Sequence, residues 1–292
     1  MGRMVGGILV LVLALSVAAA EDDSKDKPAP PAEQYEALLK EYQDATEVFS
    51  KAYSQAKTDE ERKKVVAEKS PLAKFAPRFL ELAEKNPKDP VASDALVWVL
   101  NNTSEPVGGK DRPRAKAIAL LLRDHIRSDK LGQVCPRMAF DFAKESETFL
   151  RTVLEKNPHK EVQALACLAF AQFLNNRLRM LDLAQDGPDL AKDYEGLFGK
   201  DYFEELRRQD RAKIAKEAES LFDRAADKYG DVKIPSRSRT VGEEAKSELF
   251  EIRHLGVGKE APEIEGEDQN GKKFKLSDYR GKVLLLDFWS QY

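Results

Sequence analysis

Glu84-Lys85-Asn86-Pro87, followed by Val91, Ala95 and Leu100, recurs as Glu155-Lys156-Asn157-Pro158, followed by Val162, Ala166 and Ala171. Each copy closes on paired asparagines, Asn101-Asn102 and Asn175-Asn176. The residue before a proline is pushed out of the α region, so Asn-Pro ends one helix and sets up the next. The Val, Ala and Leu positions that follow then face a neighbouring helix. Glu155 lies 71 positions after Glu84, about twice the period of a tetratricopeptide-like helix pair. Ala218–Gly230 reads as the second half of another such unit, although the strict tetratricopeptide consensus is absent.

Outward from the repeat the pattern stays helical. Tyr35, Leu38, Leu39, Tyr42, Phe49 and Tyr53 recur at spacings that share one helical face. Pro71 and Pro77 are each expected to break or restart a helix, because proline cannot donate in a helix interior. Further helices are predicted at about 90–101, 112–128, 146–156, 160–183, 201–228 and 240–253. Residues 33–253 therefore read as a mainly α domain, an irregular α-solenoid or a helical bundle.

The amino-terminal end reads as an export signal. Arg3 is followed by the apolar run Val5–Val17, then Ala18-Ala19-Ala20 and the acidic Glu21-Asp22-Asp23. The rival, an uncleaved anchor, is shorter than the ~20 apolar residues a spanning helix needs, so no stable membrane insertion is expected after cleavage. Residues 1–20 are thus assigned to a signal peptide and 21–32, charged and proline-rich, to a disordered linker. Export places the protein in the periplasm or cell envelope.

The 48 Lys and Arg against 51 Asp and Glu leave a net charge of −3, with both signs interspersed. No basic stripe exists to hold nucleic acid. Cys135 and Cys167 exclude a disulfide-dense scaffold and are too far apart for a redox C-x-x-C pair. They read as two small buried side chains or as one structural disulfide. His125, His159 and His254 are isolated, which suits surface or capping roles rather than a metal. Val107-Gly108-Gly109-Lys110 lacks the phosphate-loop pattern and reads as a turn between helices. No metal or other cofactor is implied.

The composition changes at Leu255. Gly256, Gly258 and Pro262 break helix. Glu263–Glu267 and Lys272–Lys275 read as paired strands, with Asp268-Gln269-Asn270-Gly271 as the turn. Ser277–Gly281 reads as a helical turn capped by Ser277 and stopped by glycine. Val283–Phe288 is a continuous apolar run ending in Asp287 and Phe288, expected to be a buried central strand.

Four blocks of this segment, taken in order, resemble the opening of redoxin domains. They are Gly258–Ile264, Asp268–Lys272, Leu276–Lys282 and Leu286-Asp287-Phe288-Trp289. The similarity is to exported thioredoxin-like thiol–disulfide oxidoreductases and the related alkyl hydroperoxide reductase/thiol-specific antioxidant group. It covers residues 255–292 and implies the incomplete amino-terminal half of an α/β thioredoxin-like domain.

By that resemblance Asp287 matches the family's buried proton-accepting carboxylate. Trp289 would shield the active-site edge, and Tyr292 would directly precede the nucleophile. Substrates would be a protein thiol or disulfide client, or a peroxide, with the helical domain holding a protein partner. The C-x-x-C itself is missing from the sequence, so this form is expected to be inactive. A UGA codon for selenocysteine read as a stop is one account of that, beside a frameshift, an assembly edge or a pseudogene. The alternative reading is a non-enzymatic helical scaffold with a vestigial redoxin segment.

Overall fold

The computed structural model describes residues 29–103, 112–235, 237–268 and 270–287. The assigned signal peptide, most of the linker, the turn at 107–110, Phe288, Trp289 and Tyr292 lie outside the described residues. Two rows of helices make up the main body. One row holds α1 (Pro31–Gln55), α3 (Leu72–Lys85), α5 (Pro113–Asp124) and α7 (Lys144–Lys156). The other holds α4 (Pro90–Asn102), a 3-10 turn at Asp129–Gln133, α6 (Cys135–Met138), α8 (Lys160–Asp186) and α12 (Val241–Phe250). Within each row successive members touch, and α3 with α4 and α7 with α8 close the two rows on each other. The helix α11 (Arg211–Tyr229) packs between α8 and α12 and is tied to α7 by Arg151–Glu217 at 2.8 Å. The body is mainly α, as the helical pattern of the sequence predicts.

The Asn-Pro steps end helices as the sequence implies, but the copies do not close alike, since Asn101-Asn102 end α4 whereas Asn175-Asn176 lie inside α8, and the asparagines before proline differ in depth. Asn86 ends α3 and its side-chain amide donates to Leu82 O at 2.8 Å. Asn157 ends α7, is fully buried, and donates to both Ile126 O and Ser128 O at 2.8 Å. Its Oδ1 accepts from His159 N at 3.0 Å, opening α8. A buried amide must be satisfied in this way or cost about 1–3 kcal/mol.

At the amino-terminal end the shared face of α1 meets an aromatic cluster. Tyr35 packs edge-on to Phe79 at 5.7 Å, and Tyr42 meets Phe75 at 5.6 Å and Trp98 at 4.8 Å. Phe79 and Trp98 stack at 3.9 Å. Phe49 and Tyr53, at the far end of the same face, contact each other instead, and Tyr53 is exposed. α2 (Asp59–Lys69) carries no buried residue and is closed at its start by a Thr58–Glu61 capping box.

The helix boundaries differ from expectation in four places. Pro71 caps α3 as predicted, but Pro77 lies inside α3, where the buried Phe75, Ala76, Phe79 and Leu80 hold the helix together across the missing donor. The 112–128 helix stops at Asp124, with His125 as its C-cap, because Ser128 opens the next turn by accepting from Lys130 N. The 201–228 helix is two, α10 (Lys200–Arg207) and α11, since Asp210 accepts from Lys213 N and caps a new start. Finally, 240–253 is α12 followed by a π-helical turn at Glu251–Leu255. The additional α9 (Pro188–Phe198), with α10 and the end of α8, forms a satellite core of Met180, Leu181, Ala184, Phe198, Phe203 and Leu206. No described helix is long and apolar enough to cross a membrane.

One close approach fixes the carboxy-terminal helix pair. A Cβ on Gly242 would sit 2.6 Å from Gly230 Cα and 2.9 Å from Gly230 O. The loop between them is laced by Val241 N to Val232 O at 2.8 Å, Gly242 N to Gly230 O at 3.3 Å and a Lys233–Thr240 bridge.

Candidate functional site

The carboxy-terminal segment begins with a short antiparallel hairpin, β1 (Glu265–Glu267) and β2 (Lys273–Lys275), in the register Gly266 to Phe274. Its turn works as the Asn-Gly pattern predicts. Gly271 takes φ 74°, which an L side chain resists, and Asp268 Oδ1 accepts from Asn270 N at 2.8 Å and Lys272 N at 3.0 Å. A 3-10 turn follows at Leu276–Tyr279, stopped by Gly281 at φ 82°. Its cap is not Ser277: the Asp278 carboxylate accepts from Lys275 N at 3.0 Å. Ser277 N instead donates to Glu263 Oε1 at 2.9 Å, and Leu276 N to Ile264 O at 2.9 Å. Hydrogen bonds from Ser277, side chain and backbone, hold the Glu263 carboxyl below its ordinary value.

Residues 283–287 depart from the expected buried strand. Val283 is 103% exposed and Leu285 95%, while Leu284 and Leu286 turn toward a cleft of about 420 Å³. The alternation has the period of a strand, but no described strand pairs with it, so neither its backbone nor its outer face is covered. Asp287 is correspondingly exposed, where the resemblance calls for a buried carboxylate. Trp289 and Tyr292 lie outside the described residues.

The cleft is lined by Glu260, Glu263, Ser277, Tyr279, Arg280 and Lys282 beside the two leucines. Arg280 reaches Glu260 at 3.1 Å across its mouth. No cysteine or histidine lines it, so its described residues supply ion pairs and hydroxyls but no soft nucleophile with an adjacent base. Glu263 was not singled out by the sequence, and no local signal could have done so, because its partner Ser277 lies 14 residues on.

Both thiols of the chain sit elsewhere, free and buried in the helical core. Cys135 Sγ donates to Leu131 O at 3.2 Å, and burial pushes its pKa up to about 12. Cys167 Sγ donates to Leu221 O at 3.4 Å, and burial raises it to about 11. The thiolate is the reactive species, so neither group is suited to disulfide exchange near neutral pH. Of the histidines, His125 caps α5, His159 lies against Arg127 O at 3.1 Å and His254 packs on Phe250 at 4.9 Å. Among the described residues no group of acidic, histidine or cysteine side chains could hold a metal ion.

No family model matches the chain, and neither a curated protein nor a solved structure matches it.

Proposed function

We propose that the chain is an exported helical interaction domain joined to the opening segment of a thioredoxin-like redox module. The chemistry of such a module would be dithiol–disulfide exchange with a protein client, or two-electron reduction of a peroxide. Its cysteine or selenocysteine pair is not among these 292 residues. The supporting observations are the four ordered sequence blocks and the hairpin, 3-10 turn and extended segment into which they fall, with Leu284 and Leu286 facing one side. The resident thiols cannot substitute for the pair, since burial holds both protonated.

The second reading is a non-enzymatic helical scaffold with a vestigial redoxin segment, in keeping with the exposure of Val283, Leu285 and Asp287. In both readings the helical rows bind a partner. The test compares insulin reduction and peroxide consumption by the 292-residue form and by a chain continued in frame past the Tyr292 codon. Activity from the continued chain alone is the expected result. Turnover by the 292-residue form, or a continuation lacking a cysteine or selenocysteine in register, defeats the redox reading.

A further inference from the structure

The Asn270-Gly271 step sits at the tip of the β1–β2 hairpin, and it differs from every other asparagine step in the chain. Of the seven asparagines, Asn270 alone is followed by glycine. Asn86 and Asn157 precede proline, which has no N–H. Asn101 and Asn102 lie in α4, and Asn175 and Asn176 in α8, each followed by a residue that carries a side chain.

Asn270 and Gly271 are both exposed. Beyond the chain neighbours of Gly271, no described heavy atom lies within 4 Å of where a Cβ on it would sit, so the space beside its backbone is open. Among the described residues the Asn270 side-chain amide has no hydrogen-bond partner, and only its backbone N–H is held, by Asp268 Oδ1 at 2.8 Å. Gly271 N is engaged in the closed turn, donating to Asp268 O at 2.9 Å. That bond must break before the nitrogen can attack a neighbour. The hairpin that enforces it has strands of three residues, and a two-stranded ladder is marginally stable in water. Local opening therefore frees Gly271 N without unfolding the helical body.

We infer that Asn270 is a site of spontaneous deamidation. In the opened turn hydroxide removes the Gly271 amide proton, and the nitrogen attacks Asn270 Cγ. The new N–Cγ bond closes a five-membered succinimide, and the Cγ–Nδ2 bond breaks as ammonia leaves with a proton from water. Water then opens the ring. Cleavage at N–Cγ gives aspartate, whereas cleavage at the backbone C–N bond gives isoaspartate, whose main chain runs through Cγ. The sum is amide plus water to carboxylate plus ammonium, with no redox partner. Either product adds a negative charge close to Asp268 and Glu267. Isoaspartate also lengthens the turn by one carbon, which works against the Gly266–Phe274 register that the turn sets. The inference goes beyond the redox reading and does not depend on it.

The test is to age the 292-residue chain at pH 8 and 37 °C and follow its tryptic peptide Glu260–Lys272 by tandem mass spectrometry, scoring isoaspartate by isoaspartyl methyltransferase labelling. Asn270 should convert several-fold faster than any other asparagine, yield both products, and convert faster as the pH rises. Gly271→Ala should slow the conversion several-fold, since its methyl crowds the attacking nitrogen. Asp268→Ala should speed it, because the closed turn loses the carboxylate contacts to Asn270 N and Lys272 N. An Asn270 amide that persists as long as the helical asparagines, conversion without isoaspartate, or a rate that Gly271→Ala leaves unchanged overturns the assignment. Insulin reduction by the continued chain is a separate readout, so either idea can fail without the other.

Discussion

The helical rows and the carboxy-terminal segment use the same side chains to opposite effect. Leu96, Leu100, Leu121 and Val99 are wholly enclosed between helices, whereas Val283 and Leu285 stand almost entirely in water. Apolar composition does not separate them, since both stretches are rich in leucine and valine. What differs is the number of neighbours the described chain provides. A helix satisfies its own backbone and needs only one apolar face covered, which the adjacent helix in sequence supplies. A strand needs a neighbouring strand to take its backbone hydrogen bonds, and a hairpin of three-residue strands offers neither enough ladder nor enough surface.

The largest contrast should come from truncating aromatic rings inside the rows. Phe222→Ala or Phe149→Ala removes a fully buried ring and should cost about 3–5 kcal/mol in urea denaturation. Leu285→Ser in the 292-residue form should change stability by less than ~0.5 kcal/mol. A comparable loss at both places would mean that the segment is covered in solution.

The two repeat copies sharpen the comparison within the rows. Asn157→Ala removes a buried amide and leaves two part-buried carbonyls and the His159 N–H without it, and should cost about 2–4 kcal/mol. Asn86→Ala loses a single part-buried bond and should cost about 1 kcal/mol. Similar values at the two positions would contradict the difference in depth.

At Gly242, alanine would drive a methyl into the Gly230 backbone, which cannot yield as a flexible side chain would. Equilibrium unfolding should show a loss of about 1–3 kcal/mol, concentrated in the α11–α12 pair by hydrogen exchange. Gly258→Ala meets open space but takes φ 85°, so any cost there is local backbone strain.

A smaller, pH-dependent effect follows from the thiols. Burial favours the neutral thiol, so the folded pKa values, about 12 and about 11, lie above the ordinary 9.0. Their contribution to stability is whole below pH 9.0 and is lost as pH rises toward about 11 for Cys167 and about 12 for Cys135. The wild type should therefore lose more stability than Cys135→Ala/Cys167→Ala between pH 8 and 10.5. Ellman's reagent should label neither thiol in the native chain at pH 8 and both in urea.

Much of the body was readable because its signals are local. Asn-Pro punctuation, the Tyr35–Tyr42 face and Pro71 each act within one or two turns. The failures were of two kinds. Pro77 and the Asp210 cap are local features whose outcome the surrounding packing decided. The Gly230–Gly242 contact and the Glu263–Ser277 bond join residues far apart in sequence, and no periodicity reports them. In the segment after Leu255 the turn chemistry at Gly271 and Gly281 was legible, while the burial of Val283–Asp287 was not. A run of apolar residues states what a strand prefers, and only its partners determine whether it is granted.

The ordering of helices into two rows, each touching chiefly its near neighbours in sequence, also has a kinetic meaning. Contacts between neighbouring helices dominate, with the α8–α11 pair tying the stack together across α9 and α10. Most of these pairings close only a short loop on refolding, and the α8–α11 contact, which reaches across α9 and α10, closes a longer one.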